Sequence, residues 1–197
     1  MSKVSLETPV SERDVRRLRA GDFVYLEGTV FSWRDMAFSR VFKLLEEGEE
    51  PPVSLEGAAH WHCGPITRRV GGRWEVVSAG STTSLRFTAQ EARAIRELGV
   101  RLVVGKGGMG GETARAMREC GAAYLETVGG AASLYAKKIA EIVEVHWLDL
   151  GLPEAVWVFR VRDFGPLLVT IDSHGNNLHE ELTKQISQNR LKILEKL

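Results

Sequence analysis

The feature that most constrains this chain is the run from residue 74 to residue 128, where short apolar segments alternate with helix-period segments across turns rich in glycine. Residues 74–79, 101–104 and 123–128 read as strands, and residues 88–98 and 112–119 as helices. Two strands joined through a helix lie parallel, because the crossover returns the chain to the same end of the sheet. The chain is therefore expected to be α/β, with its ligand loops at the carboxyl ends of parallel strands. Thr88-Ala89-Gln90-Glu91 has the form of a capping box, in which a Thr hydroxyl and a Glu carboxylate satisfy the free amides of a helix start.

The flanks are less regular. Residues 22–32 alternate apolar and polar side chains and read as strand, turn at Gly28, strand. Residues 34–47 suit a helix with Ala37, Val41 and Leu44 or Leu45 on one face, stopped before Pro51-Pro52. Residues 55–74 are rich in loop formers and hold a turn candidate at Gly71-Gly72. Residues 154–172 are strand-rich, and the segment from Asn177 onward suits a closing helix at residues 178–197. Residues 1–20 read as an N-terminal extension, and the whole of residues 1–197 as a single three-layer domain without internal repeats.

Charge excludes some classes of partner. Lys plus Arg and Asp plus Glu number 26 each, so no net basic field exists to grip nucleic acid or an anionic membrane, although a local basic pocket remains open. The first residues carry charges and no apolar signal core, and no apolar run approaches the ~20 residues that span a bilayer. Cys63 and Cys120 are too few for a disulfide framework. These features fit a cytoplasmic protein.

Three places are candidates for chemistry. Gly80-Ser81-Thr82-Thr83-Ser84-Leu85-Arg86 joins a strand to a helix, and its hydroxyls and guanidinium suit either an anion site or a loop that caps its own backbone. Gly105-Lys106-Gly107-Gly108-Met109-Gly110-Gly111 satisfies G-x-G-x-x-G, with Glu126 near the distance of a ribose-binding acid. A dinucleotide-binding module using Gly105 to Gly110 is thus one reading. A lysine presented to a carboxylate or phosphate is another, and a tight strand–helix connection is the third. No Walker loop is formed, because Lys106 is followed by Gly107. His60-Trp61-His62-Cys63 invites a metal reading, but no fourth ligand is apparent, which favours a partly buried loop and no metal.

Taken in order, these segments form a longer pattern. It comprises Trp33-Arg34-Asp35-Met36-Ala37, Cys63-Gly64-Pro65, Ser78 to Arg86, Gly105 to Met109, Gly129-Gly130-Ala131-Ala132, Trp147 to Ala155 and Asp163-Phe164-Gly165-Pro166. The series resembles the β subunit, or C-terminal domain, of class I iron–sulfur fumarases and L-tartrate dehydratases. Phe38 and Ser81 depart from that pattern, which often has His and Pro there.

The resemblance implies a swivelling β/β/α domain and an active site shared with an α subunit, in a hetero-oligomer such as α2β2. That partner would carry a four-iron–four-sulfur cluster, whose open iron serves as a Lewis acid, and this chain would hold neither cluster nor metal. By motif position, Arg34, Arg86 and Lys106 would bind the dicarboxylate and Thr82 would be the catalytic base. The implied activity is reversible hydration of fumarate to L-malate, with L-tartrate dehydration as the close alternative.

Overall fold

The computed structural model describes residues 3–194. Its elements run β1 (Lys3–Thr8), α1 (Glu12–Val15), β2 (Phe23–Ser32), α2 (Asp35–Glu46), β3 (Ala59–Trp61), β4 (Ile66–Val70), β5 (Arg73–Ser78), α3 (Thr88–Leu98), β6 (Leu102–Gly105), α4 (Gly111–Cys120), β7 (Ala123–Glu126), α5 (Ala132–Ala136), β8 (Ile139–His146), β9 (Val156–Ile171) and α6 (Leu178–Leu194). The chain is mixed α/β, as its alternating pattern requires.

The sheet is not wholly parallel. β2, β3, β6 and β7 follow one another in parallel, whereas β9 runs antiparallel to β2, β7 and β8. Because β9 pairs with β2 on one edge and β7 on the other, the pairings β2-β3-β6-β7-β9 close into a ring. A closed ring leaves none of those five strands an open edge along its full length. β1 extends the edge of β2 beside β3, so residues 3–20 of the segment read from sequence as an extension contribute a strand to the sheet and bury Val15 and Leu18.

Strand alternation sorts side chains between two cores. Ala59, Trp61, Leu102, Val104, Ala123 and Leu125 face the ring interior with Trp157, Phe159 and Phe164 of β9. Val103 and Tyr124 face outward and pack with Phe38, Val41 and Phe42 of α2, Ala92 and Ile95 of α3, and Ala116 and Met117 of α4. Burial on both faces explains why residues 102–104 read as an unbroken apolar run.

Several local expectations are corrected. Residues 23–32 form one strand, not a hairpin: Gly28 takes φ +94° within it, where the pairing to β9 is irregular. A Cβ at Gly28 would stand 2.6 Å from the Thr8 carbonyl, so its absence lets β1 lie close. The segment 55–74 holds the central strand β3, and its Gly71-Gly72 turn joins β4 to β5 as a separate hairpin. β5 therefore stands outside the main sheet. β8 carried no clear strand signal, since its residues alternate only loosely and lie half exposed on the edge of β9.

Candidate functional site

β2, β3, β6 and β7 are parallel, so their carboxyl ends, Ser32, Trp61, Gly105 and Glu126, lie at one end of the ring. Two of the four residues singled out from sequence lie on segments that leave these strands. Arg34 follows β2 and Lys106 follows β6. Thr82 and Arg86 sit in the segment between β5 and α3, which is stitched across the ends of β3 and β6. The Thr82 N–H donates to the His62 carbonyl at 2.8 Å, Cys63 bridges Ser81, and Thr83 bridges Lys106. The backbone thereby places Thr82 beside the end of β3 and next to the neighbour of Lys106.

Side chains complete the stitch. Ser81 Oγ accepts the Trp61 indole N–H at 2.7 Å and lies 2.7 Å from the Thr127 hydroxyl. A proline at position 81 would lose both contacts, which is the physical content of that departure from the family pattern. Phe38, the other departure, lies in the outer core against His60 and Phe87, away from the loops.

Arg34 is the N-cap residue of α2 and is held from two sides. Its Nε lies 3.5 Å from Glu154, whose other oxygen accepts the Met36 N–H at 2.9 Å. Gly64 leaves the space for it, since a Cβ there would stand 3.0 Å from Arg34 Nη1. Asp35 connects the two arginines: Arg86 donates to its carboxylate at 2.7 Å, and Arg34 Nη2 lies 3.9 Å away. Asp35 is thus a link between both guanidinium groups. Arg34 and Arg86 face two carboxylates, Asp35 and Glu154. Lys106 makes no ion pair among the described residues, and the Thr82 hydroxyl makes no hydrogen bond among them.

Beneath these loops lies a polar chain that the sequence did not expose. His60 and His62 project from the same face of the extended β3 segment toward α3, where Glu91 meets them; all three are fully buried. Glu91 Oε2 lies 2.8 Å from His60 Nδ1 and 2.9 Å from His62 Nε2. The other His62 nitrogen, Nδ1, lies 2.9 Å from Ser84 Oγ, which accepts from the Tyr124 hydroxyl at 2.9 Å and the Lys106 N–H at 3.2 Å. The histidines therefore do not sit in a partly buried loop. Glu91 takes no part in a capping box: the residue before α3 makes no side-chain cap, and Thr88 donates to the Leu85 carbonyl instead. A signal was present, because position 91 falls one turn before Ile95 on the stripe that packs α3 against the sheet.

At the buried histidines, burial and hydrogen bonding oppose one another. Burial pushes the Glu91 carboxyl up, and attraction and hydrogen bonding to His60 and His62 outweigh it, holding the group at about 2. Burial also lowers His62 below the ordinary histidine value, against the opposing pull of Glu91. The three ligand atoms are in direct hydrogen-bond contact, while the buried His60 Nε2 and Glu91 Oε1 have no hydrogen-bond partner among the described residues.

The dinucleotide reading loses its acid. Glu126 accepts the Gly107 N–H at 2.9 Å with one oxygen and meets His179 of α6 at 2.6 Å with the other. The His179 ring lies over Gly108, 2.8 Å from where a Cβ would be. An amide and a carboxylate that a dinucleotide would need are thus committed to each other. Nor do the cysteines converge as cluster ligands would: Cys63 is buried in the ring interior and Cys120 ends α4 against the outer core. Burial raises the Cys63 thiol to about 12. No helix among the described residues is long and apolar enough to cross a membrane.

The family described as "Fumarase C-terminus" matches residues 1–182. The chain is 44% identical over 197 residues to the L(+)-tartrate dehydratase subunit beta of Escherichia coli, covering 100% of this chain and 96% of that one. It is 39% identical over 178 residues to the "Putative L(+)-tartrate dehydratase subunit beta" of Methanocaldococcus jannaschii, covering 90% of this chain and 91% of that one. It is 41% identical over 182 residues to "Putative fumarate hydratase class I" of Geobacillus stearothermophilus, covering 92% of this chain and 34% of that longer one.

Proposed function

Since the chain belongs to the fumarase C-terminus family, we propose that it is the β subunit of a two-subunit hydro-lyase that reversibly hydrates fumarate to L-malate. The observation that carries this reading is the stitching of Thr82 and Lys106 at one ring end, with Arg34 and Arg86 linked through Asp35 beside them. In this reading residues 1–197 make one swivelling β/β/α domain, whose ring and outer helices supply the layers. The four-iron–four-sulfur cluster belongs to the α subunit, because this chain lacks the thiolates for it.

The chemistry assigned to this chain is substrate binding and proton transfer. Taking a proton from the carbon beside a carboxylate drives negative charge onto that carboxylate, so cations fixed there in advance lower the barrier. Arg34 and Arg86 offer forked donors that orient carboxylates, at the cost of releasing Asp35. Lys106 adds a compact charge from a glycine turn. Thr82 takes the carbon-bound proton, and a hydroxyl serves as a base only where neighbouring cations stabilise its alkoxide.

A second reading, L-tartrate dehydration, is favoured by one observation: the relatives matched along almost their whole length carry that name. The test is co-expression with the cluster-bearing subunit, followed by assays with L-malate, fumarate and L-(+)-tartrate. The assembled enzyme is expected to turn over a four-carbon dicarboxylate, and the lone chain none. Enzyme-like turnover by the lone chain would defeat the two-subunit reading, and turnover of tartrate alone would select the second.

A further inference from the structure

The hydrogen-bond inventory of Ser84 fixes the proton on a buried histidine. A serine hydroxyl has one proton to donate and two lone pairs to accept with. Tyr124 O–H and Lys106 N–H both donate to Ser84 Oγ, so both acceptor positions are used. Its proton then points to His62 Nδ1, 2.9 Å away, which must be bare to accept it. The ring proton of His62 consequently sits on Nε2 and donates to Glu91 Oε2. Glu91 Oε2 also receives the Nδ1–H of His60, so every contact from Tyr124 to His60 has one consistent direction.

We propose that His62, locked by Glu91 and His60 in its Nε2–H form, is a positioning residue that sets Ser84 and through it Lys106 and the Thr82 segment for the reaction. This rests on the reading above, in which Thr82 and Lys106 serve the hydro-lyase chemistry.

His62 grips that segment twice. Its side chain fixes Ser84, and its backbone carbonyl accepts the Thr82 N–H. Ser84 in turn exchanges two bonds with Lys106: its N–H donates to the Lys106 carbonyl at 3.0 Å, and its Oγ accepts the Lys106 N–H. The ring is enclosed, with Phe38 and Phe87 against it, so no water replaces a lost contact. Glu91 acts at one remove. Without its acceptor the Nε2–H form loses its preference, and the opposite form would aim a second donor at Ser84, where Lys106 and Tyr124 already donate.

Two substitutions separate positioning from mere packing. His62→Asn keeps an acceptor where Nδ1 stood and drops the contact to Glu91; His62→Gln keeps a donor where Nε2 stood and drops the contact to Ser84. Each retains one of the two side-chain contacts. In the enzyme assembled with its α subunit, at matched iron content, His62→Asn should keep kcat/KM within about fivefold, whereas His62→Gln should lose about a hundredfold, the scale of a 1 Å misplacement of reacting groups. Equal impairment, or the reverse order, would overturn the proposal. The full chain alone gives an independent readout: 15N spectra of labelled histidine should show His62 protonated at Nε2 only. A proton on Nδ1, or a stoichiometric metal bound by His60 and His62, would overturn it too. If wild-type enzyme hydrates no dicarboxylate, the functional reading fails by itself, and the spectra still decide the tautomer.

Discussion

Gly105→Ala tests how closely the Ser84 junction is packed. Gly105 has no left-handed φ, so alanine carries no backbone strain there. Its Cβ, however, would stand 1.9 Å from Ser84 Oγ and 2.8 Å from the Tyr124 oxygen, far inside van der Waals contact. Ser84 must rotate or its segment must lift, which breaks contacts to His62 Nδ1, Tyr124 and the Lys106 N–H. Each buried partner left without a hydrogen bond costs about 1–3 kcal/mol, and overpacking adds a similar amount. With partial relaxation the sum is about 3–5 kcal/mol, a large part of the roughly 5–15 kcal/mol that stabilises a domain. Urea unfolding of the lone chain should show it as a midpoint lowered by about 1.5–2.5 M, for a slope of about 2 kcal/mol/M. Gly129→Ala is the control, because a Cβ there meets nothing within 4 Å and the backbone is ordinary. If Gly105→Ala unfolds within about 0.3 M of the wild type, the junction is loose and the reasoning fails.

In the assembled enzyme, Thr82→Ala should collapse kcat while substrate still binds, and near-normal kcat at full cluster occupancy would refute its role as the base. Arg86→Ala or Lys106→Ala should lower kcat/KM by about ten- to a hundredfold, the worth of one charge-assisted contact of about 1.5–3 kcal/mol. For acid stability, the folded Glu91 titrates near 2 against an ordinary 4.5, and His62 is lowered from 6.5. In both windows the unfolded chain binds more protons, so stability is full above them and falls as pH drops through 6.5 and again from 4.5 toward 2. Glu91→Gln should flatten the lower part of that curve in urea titrations, and an unchanged slope below pH 4.5 would contradict the burial argument. Calorimetric titration with NADH should show no binding at millimolar ligand, because Glu126 and the Gly107 amide are mutually engaged; saturable micromolar binding would restore the dinucleotide reading.

Much of the fold was legible because local rules govern it. Helix period and glycine stops place α2, α3 and α4, each within a residue of its expected span. The buried runs at 102–105 and 123–126 declare themselves as strands, since both faces are apolar. The motif order likewise places Arg34, Thr82, Arg86 and Lys106 after particular elements. β3, by contrast, is three residues long and carries a histidine, so its central position exists only through its neighbours β2 and β6. Glu91 shows the same limit from the other side. Its spacing from Thr88 satisfies a capping rule, but two buried imidazoles 31 and 29 residues earlier in the chain offer stronger partners than a free amide. Glu126 was available to a ribose on spacing alone and is taken by Gly107 and His179, which arrives from residue 179 across the sheet end. Sequence determined the helices α2 to α4 and the buried strands β6 and β7, because those depend on neighbours a few residues apart. Tertiary structure alone decided which polar group satisfies which, because a buried donor pairs with whatever acceptor the fold brings within 3 Å, however distant in the chain.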